Sequence, residues 1–190
     1  VRMHREEGVS FRNVVTFNLD EYLPMPKESE QSYHYFMHHH LFDHIDIDPK
    51  NIHIPDGTLE GDEIDKFCRD YEKEIEAAGG IDLQILGIGR TGHIGFNEPG
   101  SFITSQTRKV FLNDLTIKDA IKDFGSRNLV PTKAITMGVG TIMQARRVIL
   151  MAWGEKKAPI IKATVEGRVS DSVPATFLQM HSNVQFVIDE

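Results

Sequence analysis

The chain has 190 residues, of which 40% are hydrophobic and 26% charged, an ordinary composition for one globular domain. Its formal net charge of −7 argues against nucleic acid as a partner, and a single cysteine, Cys68, excludes an internal disulfide framework and fits the reducing cytoplasm. The longest apolar run, residues 148–153, is far too short to cross a membrane as a helix. We therefore expect one domain over residues 1–190, located in the cytoplasm, with neither a nucleic acid nor a membrane as partner.

The first half of the chain alternates short apolar runs with amphipathic ones. The predicted elements are a helix end before Gly8, a central strand at 14–17, a helix from Ser29 or Ser32 to about His44, a short strand at 51–54, an amphipathic helix at 59–78 closed by Gly79 and Gly80, and a buried strand at 81–86. The first strand is followed by the polar run N-L-D-E-Y, and Pro24 and Pro26 then end regular structure.

The second half continues the alternation. Its predicted elements are strands at 108–112, 134–137, 147–153 and 184–188, and short helices after Gly138, after Lys157 and at 174–179. Residues 113–128 are charged and weakly periodic, which fits either a mobile lid or a surface helix. Strands alternating with helices predict an α/β fold of the Rossmann-like kind, an open and mainly parallel sheet with helices on both faces.

One stretch, residues 86–100, holds most of the readable chemistry. It follows a predicted buried strand, contains five glycines, and carries His93 and Glu98. A strand that ends in a glycine-rich turn with an acid–base pair is the usual place for a ligand site in open α/β proteins.

Other motifs have simpler interpretations. The glycines near Gly87 match a dinucleotide fingerprint loosely, but residues 97–100 interrupt the long helix that such a fingerprint requires. Histidines spaced four apart, such as His34 and His38, have metal-chelating spacing without other ligands, so a solvated helix face explains them. Cys68 lies in a charged helical pattern, where a structural thiol is expected.

A second polar cluster lies where the first strand ends. Asp20 and Glu21 there are either solvated turn carboxylates or part of a site with His93 and Glu98. Arg108 and Lys157 are candidate cations for an anionic group. A carboxylate base, a histidine and phosphate-binding cations suit proton abstraction beside the carbonyl of a sugar phosphate.

Four motifs, FNLDEY, GHIGFNEP, TMGVGT and GEKKA with a following VEG, resemble the glucosamine-6-phosphate deaminase family over essentially the whole chain. The family pattern implies additional segments at both ends, including an N-terminal βα portion with a sugar-phosphate-binding loop. The resemblance implies conversion of glucosamine 6-phosphate and water to fructose 6-phosphate and ammonia, with no cofactor and no obligatory metal.

The matching positions imply roles. Asp20 corresponds to the base that moves a proton between C2 and C1, His93 to the group that assists ring opening, and Glu98 to its partner. Arg108 and Lys157 correspond to phosphate-binding cations. Gly87, Gly89 and Gly95 belong to the substrate-binding loop, and residues 108–128 correspond to the active-site lid. The family is often oligomeric, so a homo-oligomer is one expectation.

One position departs from the family pattern. Thr91 stands where the family has an aspartate two residues before the histidine, and a hydroxyl stabilises an imidazolium far less than a carboxylate does. Two alternatives therefore stay open beside the deaminase. One is a hydrolase resembling 6-phosphogluconolactonase, and the other is a sugar-phosphate-binding module with impaired catalysis.

Overall fold

The computed structural model describes residues 1–189. Its strands are β1 (Thr16–Phe17), β2 (Asp20–Leu23), β3 (Ile52–His53), β4 (Gln84–Leu86), β5 (Arg108–Phe111), β6 (Lys133–Thr136), β7 (Val148–Ala152) and β8 (Val184–Ile188). Its helices are α1 (Arg2–Glu7), α2 (Tyr33–His40), α3 (Glu63–Ala77), α4 (Asp114–Phe124), α5 (Val139–Met143) and α6 (Ala158–Glu166). Short 3-10 turns lie between them, the longest at Pro174–Met180.

The strands form three small sheets. One is parallel in the order β4-β7-β8, a second is the parallel pair β1-β3, and the third is antiparallel in the order β2-β6-β5. The α/β class with mainly parallel pairing is confirmed. The antiparallel sheet was not predicted, because short strands look alike in sequence whichever way they pair.

Strand β2 occupies the polar run that the sequence assigned to a turn. Tyr22 and Leu23 are buried apolar residues that alternate poorly with their neighbours, so the run lacks the period-two pattern of a half-buried strand. Its pairing with β6 over four residues compensates for that weak local signal.

Several boundaries differ from the prediction by a few residues. The helix expected to reach His44 ends at His40, because Leu41 leaves helical geometry (φ −137°, ψ −64°) and a 3-10 turn follows. The helix expected from residue 59 begins at Glu63, and the strand expected from residue 81 begins at Gln84. Residues 113–128 contain a regular helix, α4, whose Asn113 side chain accepts a hydrogen bond from the Leu115 N–H.

Two apolar clusters hold these layers together. The larger surrounds β4, β7 and the inner faces of α3 and α5, with Leu86, Val148 and Leu150 at most 1% exposed. The smaller joins α4 to the antiparallel sheet through Ile117, which packs in a cluster with Tyr22 of β2. Helix α4 is therefore anchored beside the segment that carries Asp20.

Candidate functional site

Three polar side chains share one row of the antiparallel sheet. Asp20 of β2 is paired with Thr136 of β6, and Thr136 is paired with Arg108 of β5. Residues directly opposite in antiparallel strands point to the same face, and neighbouring strands lie about 4.8 Å apart. Asp20 and Arg108 therefore lie on one face, separated by the intervening strand.

The glycine-rich loop crosses that face, and successive loop residues meet successive residues of the row. A Cβ atom at Gly95 would lie 3.2 Å from Asp20 Oδ2 and 2.9 Å from Thr136 Oγ1. The Phe96 N–H donates to Thr136 Oγ1 at 3.0 Å. Asn97 Oδ1 accepts a hydrogen bond from Arg108 Nη1 at 2.9 Å.

Gly95 shows why a glycine is required at the centre of this contact. Its φ of +55° lies in the left-handed region, and its missing side chain leaves room for the Asp20 carboxylate. The buried Asn97 side chain fixes the next turn by donating to the carbonyls of Ile94 and Met137 at 2.9 and 2.8 Å.

His93 and Glu98 form the acid–base pair that the sequence indicates. His93 Nδ1 lies 3.1 Å from Glu98 Oε2, and the two side chains are only 17% and 12% exposed. Thr91 Oγ1 lies between them, 3.0 Å from His93 Nδ1 and 3.2 Å from Glu98 Oε2. A hydroxyl that donates to the carboxylate accepts the Nδ1–H, which leaves Nε2 as the unprotonated nitrogen of the neutral ring.

The pKa values of two carboxyl groups in the site, those of Asp20 and Glu98, differ from those of free side chains. Burial and, to a smaller extent, the neighbouring charge of Glu21 together raise the pKa of Asp20 to about 7. Burial also opposes ionisation of Glu98, but hydrogen bonds from His93 and Thr116 outweigh it and lower the pKa of Glu98. The site thus pairs a carboxyl that titrates near neutrality with one that stays ionised.

Glu21 is the neighbour of Asp20 in sequence but points elsewhere. It is 1% exposed and accepts hydrogen bonds from the backbone N–H groups of Tyr22 at 2.9 Å and His34 at 3.1 Å. The second bond satisfies a free N–H in the first turn of α2. Glu21 therefore acts on Asp20 through its charge and anchors α2.

Lys157 reaches the beginning of the same loop. Its Nζ donates to the Ile88 carbonyl at 2.6 Å, between Gly87 and Gly89. A Cβ at Gly89 would overlap the His93 imidazole, so this glycine lets the ring lie against the loop backbone. Gly87 faces open space on its Cβ side.

Arg108 lies in a different environment from that of Lys157. Besides Asn97 it contacts Ser101 Oγ at 3.2 Å, and it lines a cavity of about 300 Å³ together with Glu98 and Phe102. Burial lowers the pKa of its guanidinium. The contacts of Arg108 and Lys157 are to opposite ends of the loop, and a shared phosphate site for the two cations stays a prediction.

The structure also adds residues that sequence reasoning missed. Thr136 and Asn97 anchor the loop to the sheet, and Thr116 of α4 donates to Glu98 Oε1 at 2.5 Å. Asn97 belongs to the motif GHIGFNEP, which is the sequence signal that could have found it. Thr116 lies in a charged run without a motif, and no sequence signal points to it. Arg90 faces outward and forms an exposed ion pair with Asp119 of α4 at 3.0 Å.

The histidine-rich helix α2 and Cys68 lie outside the loop. Over residues 1–189 there is no cluster of three His, Cys, Asp or Glu side chains arranged to hold a metal ion. The Cys68 thiol is buried, which raises its pKa to about 11. None of the helices in the described part of the chain combines the length and apolarity needed to cross a membrane.

Together, the fold and the loop define an α/β protein with an acid–base pair, His93 and Glu98, after the end of a parallel strand. The family model described as glucosamine-6-phosphate isomerases/6-phosphogluconolactonase matches residues 1–187. The chain belongs to this family.

Its relatives include a glucosamine-6-phosphate deaminase of Thermoanaerobacter sp. (strain X514), 50% identical over 190 residues, which are 100% of this chain and 74% of that protein. A protein named putative glucosamine-6-phosphate deaminase-like, of Bacteroides thetaiotaomicron, is 50% identical over 189 residues. The alignment covers 100% of this chain but only 28% of that relative.

Solved structures agree with the family. A monomeric glucosamine-6-phosphate deaminase superposes with a TM-score of 0.96 at 41% identity, covering 100% of this chain and 78% of that one. The 6-phosphogluconolactonase of Thermotoga maritima has a TM-score of 0.71 at 24% identity, covering 95% and 75%, and thus shares the fold.

Proposed function

We propose that this chain catalyses the conversion of glucosamine 6-phosphate and water to fructose 6-phosphate and ammonia. The observation that carries the proposal is the juxtaposition of two unlike carboxyls across one loop. Asp20, with a pKa near 7, touches Gly95, and the ionised Glu98 holds His93 two residues before that glycine. Names of relatives at 41–52% identity support the same reaction.

The first step is ring opening. A closed pyranose has no acidic C–H next to a carbonyl, so the anomeric hydroxyl must lose its proton while the ring oxygen gains one. The Nε2 of His93 is the unprotonated nitrogen in the tautomer that Thr91 and Glu98 favour, and it is suited to carry that proton. The ionised Glu98 stabilises the imidazolium formed in passing.

The second step is proton transfer between neighbouring carbons. Asp20 takes the proton from C2 of the open aldehyde while the aldehyde oxygen receives a proton from the substrate's own ammonium group, which gives an enolamine. Asp20 then returns its proton to C1, which gives a protonated imine at C2. Water then adds to that imine and ammonia leaves, so the ketose carbonyl forms at C2. A carboxylate whose pKa is about 7 is both a stronger base and a better proton donor at neutral pH than an ordinary aspartate.

Substrate binding completes the proposal. Lys157 is the better supported phosphate-binding cation, because its Nζ donates a hydrogen bond to the Ile88 carbonyl, in the loop that carries His93. Arg108 has the buried charge for such a role, but its present partners are Asn97 and Ser101. Its supported contribution is to hold the loop over Asp20.

Two alternatives are tested in the same experiment. A lactonase is disfavoured, because the 6-phosphogluconolactonases of Thermotoga maritima and Trypanosoma brucei are 24% and 20% identical to this chain, against 50% for the deaminase of Thermoanaerobacter sp. (strain X514). A binding module with impaired catalysis is suggested by Thr91 in place of the family's aspartate, but the Thr91 hydroxyl bridges His93 and Glu98.

The test is an assay of purified protein with glucosamine 6-phosphate, coupled to detection of ammonia, beside hydrolysis of 6-phosphogluconolactone. We expect ammonia release and no lactone hydrolysis above background. The control is Asp119→Asn, which removes an exposed ion pair. Lactone hydrolysis without ammonia, or substrate binding by calorimetry without turnover, would reject the proposal.

Location and assembly follow from the proposed reaction. The chain would act in the cytoplasm, as the single buried cysteine suggests. A homo-oligomer is not required by the proposal, since the deaminase that superposes with a TM-score of 0.96 is described as monomeric. Sedimentation of this chain distinguishes its 21.5 kDa monomer from larger species.

A further inference from the structure

We propose that Thr116 is a positioning residue whose hydroxyl ties helix α4 to Glu98, so that the orientation of the His93–Glu98 pair depends on α4 being docked. The inference rests on the function proposed for the same site. It concerns a residue that carries no recognisable motif.

The contact itself is short and buried. Thr116 Oγ1 donates to Glu98 Oε1 at 2.5 Å, and Thr116 is 8% exposed. Its Oγ1 also lies 3.4 Å from His93 Nδ1. A hydroxyl proton aimed at a shielded carboxylate is among the stronger neutral-to-charged hydrogen bonds in a protein.

The two oxygens of Glu98 have different partners. Oε2 faces His93 and Thr91, which belong to the loop itself. Oε1 accepts from Thr116 and, at 3.3 Å, from the backbone N–H of Asn113, which caps α4. One carboxylate therefore joins the acid–base histidine on one side to the N-terminal turn of α4 on the other.

The remaining contacts explain why Thr116 dominates this connection. The second polar link between loop and helix, Arg90 with Asp119, has side chains that are 54% and 51% exposed, so it is screened by water. The titratable or charged groups near Glu98 are His93 on the loop and Arg108, which lines the same cavity and is bound to Asn97 and Ser101. On the α4 side, Glu98 is held by the hydroxyl of Thr116 and one backbone N–H.

A docked α4 thus holds Glu98 in one rotamer and favours its ionised form. If α4 moves away, Glu98 Oε1 loses its hydrogen bonds from Thr116 and from the Asn113 N–H, and the Glu98 side chain can then turn away from His93. The helix in this way couples its own docking to the alignment of His93 with Glu98.

The test compares Thr116→Val, which keeps the shape and removes the donor, with Thr116→Ser, which keeps the donor. We expect kcat for ammonia release to fall about tenfold in the valine variant, with little change in KM, and to return toward the wild-type value in the serine variant. Thr116→Ala serves the same purpose if the valine variant does not fold.

A second readout does not need turnover. The Glu98 carboxyl, followed by ¹³C NMR in the free protein, should titrate at higher pH in Thr116→Val, because the lost hydrogen bond favoured the ionised form. Thr116→Ser and Asp119→Asn should titrate as wild type. If the wild-type protein releases no ammonia, the proposed function is rejected, and the Glu98 titration alone then tests the role of Thr116.

Three outcomes would overturn the role of Thr116. They are an unchanged Glu98 titration in Thr116→Val, failure of serine to restore it, and an equal shift in Asp119→Asn. The last would mean that general loosening of α4 produces the effect.

Discussion

At the scale of single residues, the site works by giving similar side chains different surroundings. Asp20 and Glu98 are both carboxyls, yet burial and the charge of Glu21 raise the pKa of Asp20 to about 7 while hydrogen bonds lower that of Glu98. The first carboxyl titrates near neutral pH, as its proposed role as a base requires, and the second remains a negative charge beside His93.

The role of Asp20 is tested directly by Asp20→Asn. We expect the amide to abolish exchange of the C2 proton with solvent deuterium and to lower kcat by roughly 10²–10⁴-fold, because a positioned base is lost. Proton NMR of glucosamine 6-phosphate in D₂O follows the exchange. Retained exchange at the wild-type rate would remove Asp20 from the mechanism.

At the scale of elements, the decisive feature is the loop that follows β4 and crosses the antiparallel sheet. Gly95, Phe96 and Asn97 meet Asp20, Thr136 and Arg108 in turn. Three consecutive residues of the loop thus contact the sheet, so a displacement of the loop backbone would change the position of His93 relative to Asp20.

The variant Gly95→Ala tests this packing. Its Cβ would lie 2.9 Å from Thr136 Oγ1 and 3.2 Å from Asp20 Oδ2, so the loop must shift, and we expect kcat/KM to fall by about 10²-fold. Gly79→Ala is the matched control, since Gly79 has a φ of +87° with nothing within 4 Å of its Cβ position. It should cost stability of roughly 1–2 kcal/mol and leave kcat/KM unchanged.

Ammonia assays and thermal denaturation of both variants separate the two effects. If Gly79→Ala lowers kcat/KM as much as Gly95→Ala does, strained glycine geometry alone would explain the loss, and the close approach of the loop to Asp20 would not be needed.

At the scale of the whole molecule, the raised pKa of Asp20 makes the stability of the fold depend on pH. Its pKa is about 7 in the folded chain and 3.8 as a free side chain. As pH rises between these values, the unfolded chain loses the proton first, so ionisation favours unfolding and the folded state becomes less stable.

We therefore expect Asp20→Asn to raise the free energy of unfolding by roughly 2–4 kcal/mol at pH 8, where the penalty of the buried charge is removed. Near pH 4, where the folded-state carboxyl is protonated, the difference should be small. Urea denaturation at both pH values measures it. An equal effect at the two pH values would show that the charge of Asp20 is not the cause.

Much of the element order could be predicted from the sequence. The apolar run at residues 148–152 and the amphipathic pattern of α3 are local signals, and both elements are present near the predicted bounds. Strand β2 was missed because its pairing with β6 joins residues more than 100 positions apart. Short strands of this kind are stabilised by partners rather than by their own pattern.

The sequence by itself determined the family, the α/β class and the identity of the chemical groups, because Asp20, His93 and Glu98 lie in recognisable motifs next to strand ends. Only the tertiary structure decided which oxygen meets which donor. The Thr91 hydroxyl bridges His93 and Glu98. Thr116, which is distant in sequence, donates a hydrogen bond to the other oxygen of the Glu98 carboxylate. Hydrogen bonds act over about 3 Å, and such distances between separate elements are set by how sheets and helices pack.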